Sequence, residues 1–218
     1  MMSRALAIFA KVPVPGRVKT RMTPPLTLDE ATRVAWICLG ETVRRLVPPP
    51  HVAQGYLFLD GPASPEIRYL AAERRLTILP QCEGDLGTRL HDAFRMLQQR
   101  GASQVIAIGT DTPHLDPDLV EESFAALEQT DLVVGPAEDG GYYLIGMRGP
   151  VDGIFESIEW GTDSVLRATL DRARALRRSV GMLPPAYDID DAATLRRAAN
   201  EYGSRLPALR EVARLLRR

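Results

Sequence analysis

Residues 5–21 read ALAIFAKVPVPGRVKTR. The apolar run Ala5–Ala10 has no polar interruption, the pattern of a strand buried on both faces, as in a parallel sheet covered by helices. The loop that follows is of the opposite kind. It carries four cations (Lys11, Arg17, Lys19, Arg21), Pro13, Pro15 and Gly16, and no acid. In open α/β sheets ligands bind beyond the carboxyl ends of the strands. The chain as a whole has a net charge of −1, so no global field draws it to nucleic acid or to an anionic membrane. A local anion is the partner this loop fits. Lys19 and Arg21 have the charge and reach to hold phosphates, Arg as a planar fork and Lys as a point charge. The alternative is a solvated basic loop.

Working outward, strand-like and helix-like segments alternate. Helical spacing of Ala31, Val34, Cys38, Val43 and Leu46 predicts a helix over 28–47, stopped by Pro48, Pro49 and Pro50. Strands are predicted at 55–59, 76–79, 104–108, 132–134, 142–147 and 182–184. Helices are predicted at 66–72, 88–99, 119–128, 163–178, 191–201 and 207–217. This alternation predicts a mainly parallel, doubly wound α/β sheet flanked by helices, in a single domain spanning residues 1–218. The stripe Leu209, Val212, Leu215, Leu216 is expected to dock on the chain's own sheet rather than on a second subunit, and oligomeric state is left open. Cys38 and Cys82 form no CxxC pair, which speaks against a zinc site or disulfide framework and fits a reduced, cytoplasmic setting. No apolar run approaches the roughly 20 residues of a membrane span. The patterns GxxxxGK[ST] and GxGxxG are both absent.

Three further segments carry candidate chemistry. In IGTDTPHL, Asp111 lies just past an apolar strand, where a carboxylate can ligate Mg²⁺ together with substrate phosphates, or can simply cap a turn. In YDIDDAATL, Asp188 and Asp190 are expected to point to opposite faces of an extended segment, so that only one of them faces a metal, while Asp191 caps the next helix. The DxDx[TV] phosphatase pattern fails there because Ala192 occupies its last position. In GPAEDGGYYLIG, Glu138 or Asp139 could contact sugar hydroxyls or act as a base, with Gly140 and Gly141 shaping the backbone. The alternative is a hairpin turn, since Asp-Gly is a strong hairpin signal. Trp160 either stacks on a sugar or base or belongs to the core.

Taken in order, KVPVPGRVKTR, GDLGTRL, GTDTPHL, GPAEDGGYYLIG, Trp160 and the terminal DIDD resemble the bacterial DUF2064 family, over about residues 5–200. The resemblance implies a glycosyltransferase-A-like (nucleotide-diphospho-sugar transferase) fold. It implies nucleotide phosphates at Lys11, Gly16, Lys19 and Arg21, and base or ribose contacts at Gly84, Asp85, Gly87 and Arg89. It also implies Mg²⁺ or Mn²⁺ at Asp111 with Asp190, or with Asp188. The chain departs from better-known relatives of that fold: its first loop is proline-rich where pyrophosphorylases carry GGxGxR, and Asp111 stands in TDT, not in DxD.

The function expected first is glycosyl transfer from a nucleotide-sugar to a small acceptor. Lys19, Asp111 and Asp139 are its candidate catalytic groups, and Glu138, Asp139, Gly140, Gly141 and Trp160 line the substrate side. The alternative is nucleotidyl transfer from a nucleoside triphosphate to a small phospho-acid, with release of pyrophosphate. A third reading is a non-catalytic nucleotide-binding domain.

Overall fold

The computed structural model describes residues 3–217. In chain order its elements are β1 (Arg4–Ala10), α1 (Leu28–Leu46), β2 (Gln54–Leu59), α2 (Pro65–Glu73), β3 (Thr77–Pro80), α3 (Leu86–Gln99) and β4 (Gln104–Ile108). Then come α4 (Leu119–Ala126), β5 (Leu132–Pro136), β6 (Tyr142–Arg148), α5 (Val165–Ala175), β7 (Val180–Met182), α6 (Ala192–Tyr202) and α7 (Pro207–Ala213). Among the described residues the strands form one sheet in the order β3-β2-β1-β4-β6-β5-β7. The ladders β1–β2, β1–β4, β2–β3 and β5–β7 are parallel, and β6 runs antiparallel to both its neighbours.

The reversal of β6 follows from its connection. Parallel neighbours need a long crossover, whereas Ala137–Gly141 is a tight turn, which permits only an antiparallel pair. Ala137 N–H donates to the Gly141 carbonyl at 3.1 Å and Gly140 N–H to the Ala137 carbonyl, also at 3.1 Å. Gly140 sits at φ +89, and a Cβ there would meet the Asp163 carbonyl oxygen at 2.0 Å. GPAEDGG thus turns the chain back as a hairpin. The last strand lies at Val180–Met182, two residues earlier than its spacing suggested; Leu183 still donates to the Val134 carbonyl, but Pro184 has no N–H with which to continue.

Each sheet face carries its own apolar layer. Leu6, Ile8, Leu57 and Ile106 pack against α1, α2 and α4. Ala5, Ala7, Phe58 and Val105 pack against α3 and α5. The continuous apolar reading of β1 and β4 is thus literal: alternate residues of each strand feed opposite layers. A third cluster joins Met22, Val34 and Cys38 to Leu195, Leu206, Leu209, Val212 and Leu216. The C-terminal stripe accordingly docks on α1 and α6 rather than on the sheet. Among the described residues no helix is long and apolar enough to cross a membrane.

Candidate functional site

The register of the central strands decides where the site lies. Ile8 of β1 stands opposite Ile108 of β4 in a parallel ladder, so the loops that follow them leave the sheet side by side at its carboxyl edge. The first of these loops is pinned at its start, where Val12 N–H donates to the Asp60 carboxylate at 2.7 Å. It turns at Val14–Arg17 and reaches Lys19, a non-glycine residue at φ +49. Met22, three residues on, is fully buried and anchors the turn.

From this strained position the Lys19 side chain is buried, with 6% exposure, and its ammonium donates to the carboxylates of Asp111 and, at 2.9 Å, Asp190. Burial alone would push the ammonium toward neutrality. The Asp111 and Asp190 charges outweigh it and hold the lysine above its ordinary value. Loop residues 19 and 111, from different strand ends, thus meet a third segment, Ala186–Asp191. That segment is fastened to the sheet by Ile189 N–H on the Asp111 carbonyl at 2.8 Å, Ala186 N–H on the Pro136 carbonyl at 3.0 Å and Glu138 N–H on the Ala186 carbonyl at 2.9 Å.

The expectation that Asp188 and Asp190 face opposite ways is corrected here. Residues two apart in an extended segment share a face. Tyr187 and Ile189 point into the cluster beneath α1, and Asp188 and Asp190 both point to the Asp111 side. Burial pushes the Asp188 carboxyl up to about 7, and the Asp111, Asp190 and Asp139 charges add to this, with Lys19 opposing. Asp139 itself is exposed and accepts the Gly141 N–H at 2.9 Å.

Behind the acids the segment is held by a stack. The Tyr187 ring lies between His114, with centroids 4.4 Å apart, and the Arg197 guanidinium, 3.7 Å from its centroid. The Tyr202 ring meets His114 at 4.8 Å. Arg197 also grips Glu138 through two bonds of 2.7 and 3.1 Å. Burial drives the His114 imidazole down to about 4, so it is neutral in this stack.

The other predicted residues separate into distinct groups. Lys11, Gly16, Arg17 and Arg21 lie exposed along the first loop, near Lys19 in sequence. Asp85 caps α3, accepting from the Thr88 N–H at 2.8 Å, and Arg89 bonds the Gly84 carbonyl and the Gln81 side chain at 3.0 and 3.2 Å. Trp160 is half-buried against Phe155 and Tyr142, and its indole lies over Gly87, where a Cβ would stand 2.4 Å from Nε1. Among the described residues no hydrogen bond or ion pair links the Gly84–Arg89 group to Lys19 or Asp111. Glu138 is drawn away from the acids into its pair with Arg197.

Four supporting residues were not singled out in the sequence. Asp60 and Gln81 stand at the carboxyl ends of β2 and β3, a position that could have marked them, and Gln81 donates to the Ala10 and Phe58 carbonyls. His114 and Arg197 carried no comparable signal.

Two grooves, of about 430 and 340 Å³, lie elsewhere, between α1 and α2 and beside α3, and hold none of these groups. Among the described residues no three acidic, imidazole or thiol groups stand close enough to hold an ion by themselves. What is present is a set of hard carboxylate oxygens around one ammonium. That donor type suits Mg²⁺ or Mn²⁺, provided a substrate phosphate completes the shell.

Comparison with solved structures bears on the fold. A protein from Desulfovibrio desulfuricans G20, provisionally described as a nucleotide-diphospho-sugar transferase, is 28% identical, with a TM-score of 0.87 over 100% of this chain and 98% of that one. CMP:2-keto-3-deoxy-manno-octonic acid synthetase, solved with CTP, shares the fold at 12% identity and a TM-score of 0.59, over 94% of this chain and 100% of that one. Rv0371c from Mycobacterium tuberculosis H37Rv, solved with manganese, does so at 17% identity and 0.55, over 92% and 99%. The fold is that of the nucleotide-diphospho-sugar transferases. No curated protein matches the chain. The model of a family described as "Uncharacterized protein conserved in bacteria (DUF2064)" matches residues 45–162, and the chain belongs to that family.

Proposed function

We propose that this protein is a metal-assisted transferase acting on an activated nucleotide, and that the reaction is glycosyl transfer from a nucleotide-sugar to a small acceptor. One observation carries the reading: the Lys19 ammonium, from the cationic first loop, bonds both Asp111 and Asp190. On this reading, phosphate-binding charge and metal-binding carboxylates would share one place.

Asp111, with Asp190 or Asp188, would hold Mg²⁺ or Mn²⁺, a substrate phosphate completing the shell. When bound, the ion neutralises negative charge on the diphosphate as it leaves. Lys19 holds the phosphate side from within the protein, and Lys11, Arg17 and Arg21 add exposed positive charge along the same loop. Asp139, whose charge is felt at Asp188, would stand on the acceptor side and take the proton of an attacking hydroxyl. The turn at Gly140 fixes where that carboxylate sits.

A second reading, nucleotidyl transfer from a nucleoside triphosphate, draws on the rigidity of Lys19. A buried ammonium held beside the metal acids suits in-line displacement at an α-phosphate. A panel of nucleotide-sugars and nucleoside triphosphates with Mn²⁺ tests both. Free nucleoside diphosphate supports glycosyl transfer, pyrophosphate supports nucleotidyl transfer, and binding with neither product leaves a non-catalytic nucleotide site.

A further inference from the structure

Lys19 and its acidic partners differ in how they meet solvent. The lysine side chain is 6% exposed, whereas those of Asp111 and Asp190 are 46% and 38% exposed. The ammonium approaches from inside the protein, and the carboxylates keep an open side toward water. The lysine is also held in place. Its backbone lies in the left-handed region, which is unfavourable for any residue with a Cβ. Val18 and Met22 on either side of it are buried, and the Met22 N–H donates to the Lys19 carbonyl at 3.0 Å. A buried, fixed cation between acids is costly to keep without partners, and four like-charged carboxylates, counting Asp139 and Asp188, are costly to gather without a cation. Each solves the other's problem. The ammonium also occupies oxygen atoms that a divalent ion would use.

Resting on the acid-site reading above, we propose that Lys19 is an internal counter-cation. It holds Asp111 and Asp190 together while no metal is bound, and it competes with the divalent ion for them. Metal alone then binds weakly, because it meets carboxylates whose charge is already offset. Nucleotide phosphates give the ammonium other partners, so metal and nucleotide favour each other's binding.

Calorimetric titration of Mn²⁺ into the nucleotide-free protein tests this. Replacing Lys19 by Met removes the charge and keeps an unbranched stem, so Lys19→Met is expected to bind Mn²⁺ about tenfold more tightly than wild type, or better. Lys19→Gln keeps a donor for the carboxylates and serves where the Met variant does not fold; its affinity should rise in the same direction. Mn²⁺ affinity that is equal to or weaker than wild type in the folded variant overturns the counter-cation role alone. If neither wild type nor variant binds Mn²⁺, or if Asp111→Asn leaves binding intact, the acid-site reading falls and this inference with it.

Discussion

Two regions at the same sheet edge both looked like ligand sites, and they use their polar side chains in different ways. Beyond the ends of β1 and β4, Lys19 donates to Asp111 and Asp190 across 92 and 171 residues of sequence, and the acids keep an open side. After β3, Asp85 and Arg89 bond to their own neighbourhood: the carboxylate caps the helix it precedes, and the guanidinium returns to Gly84 and Gln81. Two acids from distant segments gathered on one buried ammonium, with their other side open to water, are not required by local backbone geometry, which is why they point to a ligand. Charge satisfied within eight residues or so is accounted for by capping and turn chemistry.

The contrast can be broken most directly at Asp111. Replacing it with Asn keeps size and removes charge, and metal-dependent nucleotide affinity should fall below detection by calorimetry; unchanged Mn²⁺-dependent affinity would take Asp111 out of the site. Next in size is a pH effect from the stack beneath the acids. His114 titrates near 4 in the folded protein and near 6.5 when unfolded, so the native state binds fewer protons between those values. Stability from this group is complete above about pH 6.5 and is lost as pH falls toward 4, by roughly 3 kcal/mol. His114→Phe keeps a ring in the stack and should flatten that part of the denaturation profile, and an identical profile would argue that other groups govern it.

Two smaller changes sharpen the second region. At Gly87 a methyl group would meet the Trp160 indole well inside contact distance, so Gly87→Ala should destabilise the fold by about 1–3 kcal/mol and perturb tryptophan fluorescence. A silent fluorescence spectrum would mean that the indole is free to move away and is not packed as described. Smallest is Asp85→Ala. Loss of the cap should lower Tm by roughly 2–4 °C with nucleotide affinity unchanged. A large loss of affinity at unchanged Tm would return Asp85 to the ligand.

Periodicity and punctuation made most of the secondary structure readable. The unbroken apolar runs of β1 and β4 required burial on both faces, and both layers exist. The triple proline ends α1 as expected, and the polar loops do fall at one edge of the sheet. Short-range patterns of this kind report on local backbone preference and on which faces must leave water, and they need only neighbouring residues to be read.

What the chain could not announce by itself was partnership. Nothing near Glu138 in sequence shows that Arg197 will take its carboxylate, and nothing around Tyr187 shows that His114 and Arg197 will enclose its ring. Lys19, Asp111 and Asp190 belong to three separate segments, and only the parallel register of β1 with β4, together with the tether from Ile189 to Asp111, brings them within bonding distance. Local propensity acts over a few residues, whereas electrostatic pairing acts over a few ångströms. The two coincide only after the sheet has closed.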